Sequence, residues 1–283
     1  MKLMTWNIQW GRGVDGRVDL DRILADARDF SDFDVLCLQE VSSCYEDLPG
    51  SDGADQFDEI ARRLPGYEAV IGIATDMPHP AGGRRRFGNM ILSRLPVLQV
   101  FRHLLPWPAD PGCKSMQRIA LEAAIDAPFG AFRVMTTHLE YFSPLQRRMQ
   151  VERLRELHRE ACAHARIPQL AEPSDGPFFG PQRPVPAILT GDFNFPPDST
   201  DKALLTDDID DWTPAFRDAW QLRHPGVPHV PTVGLYDREQ WPQGSSTFDF
   251  ILVSADLAPR VKDIRVDSTS RASDHQPVVI ELD

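Results

Sequence analysis

The stretch that most restricts the fold is Ala187-Ile188-Leu189-Thr190-Gly191-Asp192-Phe193-Asn194. An apolar run with a β-branched residue ends in a glycine turn that projects an aspartate and an asparagine. This describes a buried strand delivering two polar side chains at its carboxyl end, where α/β sheets place their sites. Side chains alternate along a strand, so Asp192 and Asn194 leave the backbone on the same side. A carboxylate and a carboxamide held together can grip a water, a metal or a phosphate. Alone, the stretch fits an ordinary turn equally well, because Gly, Asp and Asn are common turn residues.

The rest of the chain supplies further strands of this kind. Lys2 to Ile8 reads as a first strand carrying Asn7 at its end, and Leu20, Ile23, Leu24 and Ala27 have the spacing of an amphipathic helix. Asp34 to Glu40 is a second buried strand that ends in a carboxylate. A capped short helix carries Phe57, Ile60, Ala61 and Leu64. Strands follow at 67–73, 89–93 and 97–104, with a Pro/Gly loop from Asp76 to Phe87 that carries Arg84, Arg85 and Arg86. Another loop, Pro106 to Ser115, holds Trp107 and Lys114. Segments 117–126 and 131–137 read as a hairpin around Pro128-Phe129-Gly130, and the second runs into His138. Pro144 to Ala165 is the longest helical pattern, with Leu145, Met149, Leu154, Leu157 and Ala161 on one side. The Pro-rich stretch from Pro168 to Pro186 is either a surface insertion or a rim over a site. A short helix near 201–206 and an amphipathic piece around 216–222 lead to a long loop holding Tyr236 and Trp241. Strands at 247–253, 261–266 and 277–282 close the chain. Hairpins mixed with strand–helix alternation imply an α/β or α+β fold with mixed sheets, in a single domain over residues 1–283.

Composition narrows the function. No apolar run approaches a membrane span, and the N-terminus enters a strand pattern directly, so a cytoplasmic location is the expectation. Cys37, Cys44, Cys113 and Cys162 fit no zinc spacing and read as reduced thiols. A formal charge of −12 opposes a simple electrostatic grip on long nucleic acid.

Against that background the strand-end polar groups stand out: Asn7, Glu40, His138, Asp192 with Asn194, and Asp249. Asp274-His275 sits just before the last strand. If Glu40, Asp192, Asp249 and Asp274 converge, their repulsion demands a cation, and oxygen ligands without cysteine favour Mg²⁺ or Mn²⁺ over zinc.

Six segments carry a resemblance, in this order: Thr5-Trp6-Asn7, Leu38-Gln39-Glu40-Val41, Thr136-Thr137-His138-Leu139, Gly191-Asp192-Phe193-Asn194, Phe248-Asp249-Phe250-Ile251 and Ser273-Asp274-His275-Gln276-Pro277-Val278. The chain resembles the endonuclease/exonuclease/phosphatase superfamily, the deoxyribonuclease-I-like fold, from Asn7 to Val278. The resemblance implies a four-layer αββα sandwich of two packed mixed β-sheets flanked by helices, with the site at one end. It implies that Glu40 binds the divalent metal, assisted by Asn7 and Asp274. Asp192 would orient or deprotonate an attacking water, and Asn194 would hold that water or the phosphate. Asp249 would set the ring of His275, which acts on the phosphoryl oxygens or as general acid/base. His138 would contact the phosphate or leaving group. The abasic-site endonuclease branch commonly has Tyr at the His138 position. The histidine resembles the deoxyribonuclease I, sphingomyelinase-like and deadenylase-like branches instead.

Further residues admit two readings each. Arg118 either projects towards the phosphate or pairs with a carboxylate such as Glu122 on its own strand face, and Asn89 has similar standing as a substrate contact. Arg84 to Arg86 either receive a polyanionic substrate or, the favoured reading for a charge run in a Gly-rich loop, are simply solvated, and Arg147 and Arg148 read as a helix's wet face. Trp107 and Trp241 either stack on a substrate or pin their loops. The expected activity is Mg²⁺- or Mn²⁺-dependent phosphoester hydrolysis, foremost of a phosphodiester, by a monomer with no obligate protein partner. The substrate is nucleic acid, a nucleotide or a lipid headgroup, and the acidic charge leans away from duplex DNA. A catalytically inactive binding protein on the same fold is the alternative. A serine hydrolase using His275 lacks a Gly-x-Ser-x-Gly elbow.

Overall fold

Alternation of apolar side chains along the strands produces two mixed six-stranded sheets packed face to face in the computed structural model, which describes residues 1–283. The first half of the chain forms β1 (Lys2–Asn7), α1 (Leu20–Phe30), β2 (Val35–Ser43), α2 (Gln56–Arg63), β3 (Glu68–Pro78), β4 (Arg84–Ser93), β5 (Val97–Leu104), β6 (Ile119–Ala127) and β7 (Gly130–His138). The second half forms α3 (Pro144–Arg166), β8 (Ala187–Asp192), α4 (Thr200–Thr206), β9 (Phe216–Asp218), α5 (Ala219–Arg223), β10 (Asp249–Ser254), β11 (Val261–Val266) and β12 (Val278–Leu282). One sheet runs β11-β12-β1-β2-β4-β3 and the other β5-β6-β7-β8-β10-β9.

The parity of each strand assigns its residues to layers. Leu3, Val35, Cys37, Val134, Ile188, Ile251 and Ile280 meet between the sheets. Their neighbours Met4, Trp6, Leu36 and Leu38 face outwards under α1 and α2, and Leu189, Phe250 and Leu252 face outwards under α3. This is the αββα order of layers.

The same parity positions the site. Leu3 and Thr5 lead along the inner face to Asn7, Val134 and Thr136 to His138, and Ile188 and Thr190 to Asp192. In β10 the inner face begins at Asp249 and continues through Ile251 and Val253. Each inner row is apolar deep in the sandwich and polar at one end. Gln39 ties the sheets together just below, donating from Nε2 to Thr5 Oγ1 at 3.1 Å and Thr136 Oγ1 at 2.8 Å.

Several boundaries differ from expectation, each for a local reason. β2 does not stop at Glu40 but runs to Ser43, with a register shift between Leu38 and Val41 and a φ of 60° at Glu40. By parity Glu40 would face outwards with Leu36 and Leu38; the bulge turns it towards Asn7. The expected loop from Asp76 to Phe87 is mostly hairpin, because β3 and β4 extend until Pro78 faces Arg84. Arg84 and Arg86 pair with Asp76, and Arg85 pairs with Asp47.

In α3, Leu154, Leu157 and Ala161 are buried as expected, but Leu145 and Met149 are 49% and 37% exposed. Gln146 and Gln150 take the inner positions there because their amides donate to Pro108 O and Pro106 O, anchoring the 106–115 loop. Arg147 is not simply solvated: it holds Asp201 and the carbonyls of Glu140 and Tyr141. The Pro-rich stretch is a surface insertion. It leads into Ala187, at the opposite end of β8 from Asp192. All four cysteines are free thiols, and no helix is long and apolar enough to cross a membrane.

Candidate active site

Two sheet ends and the segment before β12 converge on Asp192. Its Oδ2 accepts the Asn7 amide at 2.9 Å, and its Oδ1 accepts the Asn194 backbone N–H at 3.0 Å. Just before it, Gly191 lets β8 lie close against β7: its φ is +134°, and a Cβ there would lie 1.9 Å from Thr137 O. Asn7 Nδ2 also donates to Glu40 Oε1 at 3.0 Å, so one amide bridges two carboxylates from different sheets. Gln9 N–H donates to Asn7 Oδ1 at 3.0 Å, which sets the amide's orientation with nitrogen towards the acids.

Two imidazoles complete the ring. His138 Nδ1 lies 3.8 Å from Glu40 Oε1, and its Nε2 lies 3.5 Å from Asp192 Oδ2. His275 Nε2 lies 3.7 Å from the same Asp192 oxygen, while its Nδ1 sits 2.8 Å from Asp249 Oδ2. Separations of 3.5–3.8 Å exceed hydrogen-bonding distance. Glu40, His138 and Asp192 form one set of metal-competent donors, and Asp192, Asp249 and His275 form another.

The environments drive these groups apart in protonation. Burial raises the Asp192 carboxyl, with Asp249 and Glu40 adding to the shift and His275 and Asn7 opposing it. Burial and the charge of Asp274 raise Glu40. Burial, with Arg118 and His275 nearby, holds His138 well below the usual imidazole range. His275 moves the other way: burial opposes its charge, but Asp249, Asp192 and Asp274 outweigh it and hold the ring well above that range. The two imidazoles are therefore pushed in opposite directions, the opposed tuning that separates acid from base roles.

The remaining expected residues fall less uniformly. Asn194 lines the cleft, with a φ of 53° and its amide donating to Leu139 O at 2.9 Å. Asp274 also lines it, but belongs to neither donor set and accepts Trp241 Nε1 at 3.0 Å. Arg118 stands in the wall, paired through Nε with Glu140 at 3.2 Å rather than with Glu122. Glu122 lies on the same sheet but is taken by Arg183, Arg133 and His103. Asn89 is buried behind the cleft, donating to Ile119 O at 3.2 Å, and is not part of the wall. Thr232, which donates to Asp249 Oδ2 at 2.6 Å, and the cleft-wall residues Trp10, Phe87 and Tyr141 carried no periodic signal. Trp241 and Lys114 line the cleft of about 490 Å³, whereas Trp107 pins its own loop through Ser115.

The sequence profile described as Endonuclease/Exonuclease/phosphatase family matches residues 4–275. The chain belongs to this family, whose members are divalent-metal-dependent phosphoester hydrolases. No curated protein matches it. Among solved structures, an endonuclease/exonuclease/phosphatase from Beutenbergia cavernae is 23% identical with a TM-score of 0.65, over 99% of this chain and 70% of that one. A mannosyl-6-phosphatase from Bacteroides thetaiotaomicron is 17% identical at 0.62, over 100% of this chain and 99% of that one. The 3′ phosphatase NExo from Neisseria, bound to a product DNA hairpin, is 20% identical at 0.60, again over 100% and 99%. At these identities the likeness is one of fold.

Proposed function

We propose that this chain, acting as one catalytic unit, hydrolyses phosphoesters, foremost phosphodiesters, by direct attack of water with Mg²⁺ or Mn²⁺. The observation that carries the reading is Asp192 flanked by two imidazoles, His138 at 3.5 Å and His275 at 3.7 Å, which their surroundings shift in opposite directions. The donor set suits a hard cation: half-buried Glu40 from one sheet and buried Asp192 from the other are both shifted upwards, and a nearby positive charge would lower them again. Glu40 would hold the ion with Asp274, and Asn7 keeps Glu40 beside Asp192. When bound, the cation polarises a phosphoryl oxygen and stabilises the leaving oxygen.

The chain's own groups account for the rest. Asp192 orients the attacking water and takes its proton. Asn194, beside it, holds the water or a phosphoryl oxygen. His275, kept charged by Asp249, stabilises the negative charge that builds on phosphorus, and neutral His138 faces the leaving group. Arg118, in the cleft wall, would meet a phosphoryl oxygen.

A cleft of about 490 Å³ with aromatic walls, on a chain whose Arg84, Arg85 and Arg86 are already paired, favours a small phosphodiester over a long duplex. The test is hydrolysis of bis(p-nitrophenyl) phosphate beside the p-nitrophenyl monoester, with Mg²⁺, Mn²⁺ or EDTA, for the native chain and His275→Ala. Metal-dependent diester cleavage lost in the variant supports the reading, and a monoester preference makes the protein a phosphatase. No turnover and no divalent-ion binding would leave a binding protein on this fold.

A further inference from the structure

The long loop before β10 contributes Trp241, which does more than wall the cleft. Its indole N–H donates to Asp274 Oδ2 at 3.0 Å, and its ring stands edge-on to His275, Tyr141 and Phe248 at 6.3, 6.1 and 5.7 Å. The residue is seated closely: a Cβ on Gly234 would come within 2.8 Å of Trp241 Cβ, and Gly234 N–H donates to Asp274 O. Its neighbour Gln240 accepts Gln9 Nε2 at 3.0 Å, tying the loop to the turn after β1. Asp274 is thus gripped at its backbone by Gly234 and at its side chain by Trp241.

The other oxygen of Asp274 is differently placed. Ser273 Oγ lies 3.3 Å from Oδ1, but it also lies 2.8 Å from Asn7 O. A hydroxyl has one proton, and the shorter contact takes it. Oδ1 is left without a donor in a cleft where Glu40, Asp192 and His275 gather.

We propose that Trp241 is a positioning residue for the cation site: its indole N–H occupies one oxygen of Asp274, so that this carboxylate meets a divalent ion through the other oxygen alone. The inference rests on the metal-dependent reading above and adds to it the loop residue that sets the ligand's geometry. Partners that orient a metal ligand typically change affinity by 10- to 100-fold. Trp241→Phe keeps the ring and its packing and removes only the donor.

The test is calorimetric titration of Mn²⁺ into the native chain, Trp241→Phe, Asp274→Asn and the double variant, with melting temperatures to verify folding. The expected result is roughly tenfold weaker binding for Trp241→Phe, at least as large a loss for Asp274→Asn, and no further loss in the double. In turnover by Trp241→Phe, the Mn²⁺ concentration for half-activation rises by the same factor. Native-like affinity in Trp241→Phe overturns the proposal, as does tighter binding, which would make the indole a competitor of the ion. Losses that add in the double variant overturn it too, because the loop would then act independently of Asp274. A native chain that binds no Mn²⁺ removes both the proposal and the metal-dependent reading; normal native binding with an unaffected Trp241→Phe removes the proposal alone. Should Trp241→Phe not fold, Gln240→Ala, which releases the loop from Gln9, is expected to weaken Mn²⁺ binding severalfold, and unchanged affinity overturns the proposal.

Discussion

Asp249 spends one oxygen twice: its Oδ2 sits 2.8 Å from His275 Nδ1 and accepts the Thr232 hydroxyl at 2.6 Å. The hydroxyl and the imidazole approach the same atom, so Thr232 orients the carboxylate that orients the histidine. Asp249→Asn is expected to lower kcat for a phosphodiester by about 100-fold or more, since the ring loses its charge partner and its fixed proton. Thr232→Val, which leaves Asp249 charged but free to turn, costs less, about 3- to 10-fold in kcat with KM little changed. Steady-state kinetics on both variants check the order, and equal losses would contradict it.

Removal of the cation has two expected readouts. EDTA abolishes diester cleavage, and Mg²⁺ or Mn²⁺ in excess restores it. The same ions raise the melting temperature, because a ligand at 100 times its dissociation constant stabilises the folded state by about 2.7 kcal/mol. Melting curves with and without Mn²⁺ check this, and an unmoved transition contradicts it.

Glu40 shows the opposite interests of stability and function. Burial and the charge of Asp274 raise its carboxyl, so without a cation the charged form burdens the fold at neutral pH. Glu40→Gln is expected to raise the metal-free melting temperature by roughly 2–4 °C. It should also abolish the gain that Mn²⁺ gives the native chain and lower activity by at least about 100-fold. Scanning calorimetry with EDTA and with Mn²⁺ decides it.

A pH effect is expected far from the cleft. His158 accepts Arg133 Nη2 at 2.7 Å on Nδ1 and donates from Nε2 to Pro214 O at 2.8 Å, an arrangement that requires a neutral ring. Burial and the Arg133 charge push it down to about 4. Its unfolded value is about 6.5, so between these limits the unfolded chain binds the extra proton. Stability therefore falls as pH drops from about 6.5 towards 4, by about 3 kcal/mol for this group once pH is below both values. Glu122, which His103, Arg133 and Arg183 hold down to about 2 against its burial, loses its contribution at lower pH still. Urea unfolding of the native chain and His158→Gln at pH 7, 6 and 5 checks the assignment: the native curve is the steeper in pH.

Much of this architecture was readable because it rests on local periodicity. Inner rows such as Leu3-Thr5-Asn7 and Ile188-Thr190-Asp192 state in one dimension which side chains face the sheet interface and where the row becomes polar. Glu40 was found by its motif, but its position inside β2 was not, because a bulge depends on the opposing strand β4. The buried side of α3 near Leu145 departs from the apolar spacing for a related reason: glutamine is polar by composition, yet Gln146 and Gln150 are buried once their amides meet the carbonyls of another loop. Arg118 is the clearest case of a choice that sequence spacing could not make. Glu122 stands four residues further on, in β6, but it is Glu140, from beyond β7, that Arg118 pairs with. Trp241, Thr232 and Gln9 reach the site from loops, where no repeat records which way a side chain turns.

The adjacency of β1 and β12 has a consequence for timing. Lys2 pairs with Glu281 and Thr5 with Val278, so during synthesis β1 waits for β12, the last strand of the fold, before its outer neighbour arrives. Asp274 and His275 travel with that final strand. A nascent chain therefore carries Glu40 for most of its synthesis, Asp192 for the last third and Asp249 only briefly before His275 joins them, and this set of groups is complete only when the segment before β12 has emerged. A chain that stops short of Ser273 thus has Glu40, Asp192 and Asp249 but lacks both Asp274 and His275.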